Sequence, residues 1–158
     1  MEILCYILGL SSALIIAYQD IKSREIHIGA FLLFLLGALC SYFVEPSKEY
    51  FLNSFINLGM VLIIILILFL LFRLRGKEIR VNKELGAGDL VMLGILCFWF
   101  SPDEFILFYA ISLSLFSIFI LLLIALKKID RSFHIPLAGG LAIFFLLFFP
   151  LRHMLWTL

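Results

Sequence analysis

The sequence lacks the residue patterns that mark metal sites, disulfide frameworks and nucleic-acid contacts. Its three cysteines stand apart from one another, so neither a zinc ribbon nor a set of structural disulfides is indicated. Its three histidines form no metal-binding pattern, and a net charge of +1 gives no reason to expect nucleic acid as a partner. We therefore expect no metal, no cofactor and no nucleic-acid partner.

What the chain has in excess is apolar surface. Hydrophobic residues make up 65% of its 158 positions, and 18 of them are Phe. A soluble domain is about 45–50% apolar, and a chain of this length has too little interior to bury such an excess. The composition predicts an all-α, polytopic membrane protein whose solvent is lipid, with a single transmembrane domain over residues 1–158.

A helix needs about 20 residues to cross the hydrocarbon core. Six segments meet or nearly meet that length: 3–19, 26–44, 51–72, 85–101, 104–126 and 133–150. In the fourth, only Leu90 to Pro102 is free of charge, so a full span there has to include Asp89. The run Ser101-Pro102-Asp103-Glu104 has the pattern of a capping box that starts span five. No basic segment precedes the first run, so we expect it to stay in the membrane.

The basic residues predict the orientation. Ten of the twelve Lys and Arg residues follow spans one, three and five: Lys22, Arg24, Arg73, Arg75, Lys77, Arg80, Lys83, Lys127, Lys128 and Arg131. By the positive-inside rule these connections are cytoplasmic and both termini lie on the outer side. The expected location is the cytoplasmic (inner) membrane, crossed about six times.

Two aspartates lie beside long apolar runs, where an ionised carboxylate is costly, by about 2.5–3.5 kcal/mol at a helix centre. Asp20 ends span one and Asp89 begins span four, so the predicted topology brings both to the cytoplasmic edge on antiparallel helices. Two simpler interpretations exist. Asp89 could only cap span four, and Asp20 could belong to a solvated cluster with Lys22 and Arg24.

The two carboxylates together have a chemistry that neither has alone. Two carboxylates close to each other share one proton. The ionised partner can then take a proton from water while the protonated one polarises an amide carbonyl, which hydrolyses the amide without a metal. Gly86 and Gly88 leave the backbone bare beside Asp89, with room for an extended substrate strand. They are therefore the candidate substrate-binding residues.

These residues resemble a known family. Gly86-Ala87-Gly88-Asp89 resembles the Gly-x-Gly-Asp signature of polytopic aspartyl proteases, and the stretch Ala17–Ile26 around Asp20 resembles the first-aspartate motif of type IV prepilin peptidases. Length and topology are similar to the short, peptidase-only members. The resemblance implies an aspartyl endopeptidase with Asp20 and Asp89 as its catalytic pair. Its expected partners are the lipid bilayer and prepilin-like precursors, whose short basic leader it would remove at the cytoplasmic face.

The sequence departs from the family pattern in three respects. His27 stands where the family often has Pro, and Val91 stands where a Lys usually follows the second motif. Both departures concern leader specificity and leave the two carboxylates in place. The third departure is the absence of the cysteine-rich cytoplasmic insertion of the long members. We therefore do not expect the methyltransferase activity that those members carry.

Two other functions would also account for Asp20 and Asp89. Intramembrane carboxylates often carry protons or sodium, so the chain could be a coupled transporter or an ion pathway. That function favours acids near the midplane and repeated, interrupted helices. The third hypothesis is a non-catalytic subunit of a membrane assembly, in which Asp20 and Asp89 only bond neighbouring helices.

Overall fold

A computed structural model describes residues 2–44, 48–74, 86–126 and 137–156, which are almost entirely helical and contain no β-strand. The six helices are α1 (Glu2–Ser23), α2 (Ile28–Val44), α3 (Lys48–Leu74), α4 (Ala87–Leu96), α5 (Pro102–Ala125) and α6 (Leu137–Trp156). The predicted all-α class and the six helices are confirmed. The basic segments at 75–83 and 127–131 and the predicted start of span six at 133–136 lie outside the described residues.

The six helices differ in length. Three are long and apolar enough to cross a membrane, over Ile3–Ser23, Phe51–Leu71 and Pro102–Ala125. The other three apolar stretches are shorter, over Ile28–Phe43, Ala87–Leu96 and Leu137–Leu151. α1 continues past its predicted end at residue 19, so Asp20 lies inside the helix and not beyond it.

The fourth helix departs most from the prediction. The sequence predicts a full span over 85–101, whereas α4 ends at Leu96 and residues 97–100 form a turn. Ten residues of helix rise about 15 Å, half the thickness of the hydrocarbon core. A helix that ends in apolar surroundings has terminal carbonyl groups that need donors, because no water is there to supply them.

The N–H groups of the turn after α4 donate to the last carbonyl oxygens of the helix. The turn has carbonyl groups of its own, and these accept from Asn57 of α3. Its side-chain nitrogen donates to the carbonyl oxygen of Cys97 at 3.1 Å and to that of Phe100 at 2.8 Å, and the residue is fully buried. Two carbonyl groups of the segment that follows α4 are therefore satisfied by a side chain forty residues or more earlier in the chain. α3 holds the turn after α4 in place.

Trp99, in the same turn, fills the centre of the aromatic core. Its ring stacks on Phe34 of α2 at 5.4 Å between centroids and meets Phe145 and Phe149 of α6 edge-on at 5.2 and 5.1 Å. A Cβ atom at Gly37 would lie 3.0 Å from this ring, so α2 approaches the indole as closely as a glycine allows. The turn is thereby packed against two other helices.

The helix contacts place α6 between the two helices that carry the aspartates. α1 packs against α2 and α6, and α4 packs against α2, α3 and α6. α5 contacts α3 and α6, and its predicted cap is present: the Ser101 N–H donates to Glu104 Oε2 at 3.0 Å.

We predict that Asn57→Leu lowers the stability of the folded protein by about 1–2 kcal/mol, because it leaves two carbonyl groups without their donor in an apolar interior. Unfolding in mixed detergent micelles would measure the loss. Asn53→Leu, one turn earlier on α3 and only half-buried, is the matched control. Equal losses in the two variants would contradict the role given to Asn57.

Candidate active site

Asp89 is the third residue of α4, and one of its oxygens caps that helix. Gly86 is the N-cap residue, and its N–H donates to Asp89 Oδ2 at 3.3 Å. Glu104 does the same at the start of α5. The capping interpretation of Asp89 is therefore right for one oxygen, although the N-cap position itself belongs to Gly86.

The other oxygen of Asp89 makes a contact that capping does not require. The Ala138 N–H, in the first turn of α6, donates to Asp89 Oδ1 at 2.8 Å. Asp89 thus bridges two helices, and its side chain is half-buried between them.

Asp20 is bound by the next residue of α6. The Gly139 N–H donates to Asp20 Oδ2 at 2.5 Å, and Asp20 is only 7% exposed. A carboxylate near the C-terminal end of its own helix faces the negative end of the helix dipole, which is unfavourable. Here the carboxylate reaches instead the positive N-terminal end of α6, where the first N–H groups have no partner within the helix.

The structure therefore brings the two predicted aspartates together. Ala138 and Gly139 are consecutive, so only three backbone bonds join their amide nitrogens. The two bound oxygens, Oδ1 of Asp89 and Oδ2 of Asp20, consequently lie within about 10 Å of each other. Each carboxylate also keeps one oxygen outside the contact with α6.

The position of Gly139 leaves no room for a side chain. A Cβ atom there would lie 2.9 Å from Asp20 Oδ2 and 3.0 Å from Asp20 Cβ. Sequence reasoning missed Ala138 and Gly139 as site residues, since both act through backbone N–H groups. The signal that could have found them was a glycine pair, Gly139-Gly140, at the start of an apolar helix.

The turn after Asp20 is tightly constrained. Arg24 has a left-handed backbone, with φ of 57°, and its N–H donates to the carbonyl oxygen of Asp20 at 3.1 Å. This conformation closes the end of α1 but favours glycine. Arg24 carries the positive charge that acts on the Asp20 carboxylate, whereas the Lys22 ammonium group donates to the Tyr18 hydroxyl at 2.8 Å.

The two departures from the family motifs have different surroundings. The His27 N–H donates to Gln19 Oε1 at 3.0 Å, which joins the start of α2 to the last turns of α1. A proline at this position would have no N–H to give. Val91 is 45% exposed on the surface of α4.

The two motif glycines differ in the space around them. A Cβ atom at Gly86 would lie 3.2 Å from Asp89 Oδ2, which is a tight contact. At Gly88 it would meet Ile26 Cδ1 at 3.7 Å and Phe31 Cζ at 3.8 Å, which are ordinary distances. A side chain at Gly86 would thus crowd the Asp89 carboxylate, whereas the residues around Gly88 leave room for a methyl group.

A comparison with protein families decides the assignment. The model of the type IV leader peptidase family matches residues 7–122. The chain belongs to this family. The match covers α1 to α5 with both aspartates and ends before α6. No curated protein and no solved structure gives a match.

Membership of the type IV leader peptidase family confirms the resemblance read from the two motifs. Together with the apolar helices it identifies the chain as a membrane protein of a peptidase family. Of the three hypotheses drawn from the sequence, it favours the peptidase.

We predict that Gly139→Ala reduces peptidase activity by about 10- to 100-fold, because the new methyl group displaces the Asp20 carboxylate while the backbone N–H remains. Cleavage of a leader-bearing precursor by the purified protein would measure this. Gly94→Ala, on α4 with no atom within 4 Å of the added Cβ, is the control and should retain activity. Full activity of Gly139→Ala would show that the position of Asp20 on α6 does not matter.

Proposed function

We propose that this member of the type IV leader peptidase family is an aspartyl endopeptidase that hydrolyses its substrate with Asp20 and Asp89. Its substrates would be type IV prepilin-like precursors, cut behind a short basic leader at the cytoplasmic face of the inner membrane. The observation that carries the proposal is the binding of both carboxylates to consecutive N–H groups of α6.

This arrangement suits a proton-sharing pair. Asp20 is held through Oδ2, so its Oδ1 is left for water or the substrate. Asp89 is held through both oxygens, and its Oδ2 has only the longer bond, at 3.3 Å from the Gly86 N–H, so this is the oxygen that would exchange a partner for water or the substrate. The N-terminal end of α6 stabilises negative charge on the pair. A transporter would favour carboxylates near the midplane on interrupted helices, whereas these two meet where the ends of three helices come together.

The reaction then follows general acid–base catalysis. The ionised carboxylate removes a proton from a water molecule, whose oxygen attacks the carbonyl carbon of the scissile peptide bond. The protonated carboxylate donates its proton to the carbonyl oxygen, giving a neutral tetrahedral intermediate. Proton transfer to the leaving nitrogen, with return of a proton from the new hydroxyl groups to the pair, breaks the C–N bond and restores the shared proton.

The substrate has to present an extended strand at this site. Peptide bonds inside a helix are covered by neighbouring turns and hydrogen-bonded, so a precursor helix must be unwound at the cleavage point. The open side of Gly88, next to Asp89, would receive that strand, because a backbone without a side chain allows close approach.

We predict that Asp20→Asn and Asp89→Asn each lower the cleavage rate by at least about 100-fold, since each removes one half of the acid–base pair. Membranes containing the protein, mixed with a precursor bearing a basic leader, would provide the assay. Asp103→Asn is the matched control, because Asp103 is exposed in the first turn of α5, at the opposite end of α4 from Asp89. Persistent cleavage by either of the first two variants would contradict the proposed mechanism.

We also predict that Gly88→Ala raises KM several-fold and leaves the fold and thermal stability unchanged. The substrate-free protein has room for the methyl group, so the effect would come from the strand that has to lie there. Gly59→Ala, on α3 with nothing within 4 Å, should leave KM unaltered. An unchanged KM in Gly88→Ala would remove Gly88 from the substrate-binding residues.

A further inference from the structure

α1 and α2 approach each other very closely where Gly37 faces Gly9. A Cβ atom at Gly37 of α2 would lie only 3.1 Å from the backbone nitrogen of Gly9 on α1. Helices usually pack with their axes 8–10 Å apart, depending on the side chains at the contact. Two facing glycines permit a closer approach, as small residues do between membrane helices.

Two cysteines lie one helical turn beyond this crossing. Cys5 precedes Gly9 by four residues, and Cys40 follows Gly37 by three. Residues three and four apart share a helix face, so each cysteine lies on the same side of its helix as the glycine. Because the two helices run in opposite directions, Cys5 and Cys40 lie on the same side of the crossing and face each other. Cys40 lies close enough to Cys5 for the two thiols to interact, and Cys5 is buried while Cys40 is half-buried.

We propose that Cys5 and Cys40 are an oxidisable pair that forms a disulfide bond between α1 and α2. The two thiols lose two protons and two electrons to a disulfide oxidant, which is reduced to two thiols, and one S–S bond forms. Cys40, the more accessible sulfur, makes the mixed disulfide with the oxidant, and Cys5 then displaces the oxidant from it.

The pair lies where such a bond can form in a cell. The orientation expected from the basic residues puts this end of α1 and α2 at the outer face of the membrane, and oxidising conditions prevail outside the inner membrane. The crosslink would join the two helices at the end far from Asp20, which is fifteen positions further along α1. The proposal is therefore independent of the peptidase mechanism.

Oxidised glutathione, added to the full-length protein in detergent micelles, tests the pair. We expect the free thiols counted by maleimide after denaturation to fall from three to one, with an intact mass lower by two hydrogen atoms and no dimer. Cys97→Ser should fall from two thiols to none. Cys97 itself is buried, donates to the Leu93 carbonyl oxygen and should stay reduced in the natural chain.

The Cys40→Ser variant distinguishes the pair from general thiol oxidation. It should keep both remaining thiols under the same treatment, and its melting temperature should be the same with and without oxidant. In the natural chain the oxidant should raise the melting temperature, because a crosslink restricts the unfolded state. Loss of the Cys97 thiol, a stable glutathione adduct on Cys40 without ring closure, a disulfide-linked dimer, or three unreacted thiols would each overturn the proposal.

Discussion

The site depends on the first turn of α6, where two consecutive N–H groups bind carboxylates from two different helices. The bonds connect Gly139 to Asp20 and Ala138 to Asp89, across 119 and 49 residues of chain. An ionised carboxylate in apolar surroundings is costly unless it is hydrogen-bonded. The free N–H groups at the start of a helix are also unsatisfied until something accepts from them. The two bonds meet both requirements, and they bring the two acids to consecutive residues of α6.

The C-terminal end of α4 is also held by other helices. The helix stops early, and Asn57 donates to two carbonyl groups of the segment that follows it. Trp99, in the following turn, is packed between α2 and α6. A short helix anchored at its C-terminal end cannot slide along its axis without breaking these contacts. The position of Asp89 along that axis is therefore set partly by residues that lie at the other end of the helix.

The two aspartates could be proposed as site residues from the sequence alone. An ionised carboxylate beside a long apolar segment is costly in free energy, so its presence there suggests a function. The hydrogen-bond donors to Asp20 and Asp89 could not be predicted, because they are backbone N–H groups, which every residue type except proline provides. The early end of α4 was missed for a similar reason. Periodicity and length describe a segment by itself, whereas the turn that follows this helix is held by Asn57, on another helix. Gly86 stays a predicted substrate contact, and the structure adds that a side chain there would crowd the carboxylate of Asp89.

The central claim, that α6 binds each aspartate through its own N–H group, can be measured by NMR on protein labelled with ¹⁵N-glycine and ¹⁵N-alanine in micelles. Amide protons move downfield when they donate to a carboxylate. We expect Asp20→Asn to shift the Gly139 amide resonance and leave Ala138 nearly in place, and Asp89→Asn to do the reverse. If neither resonance responded, or if both responded equally to either substitution, the two carboxylates would not be bound to the first turn of α6.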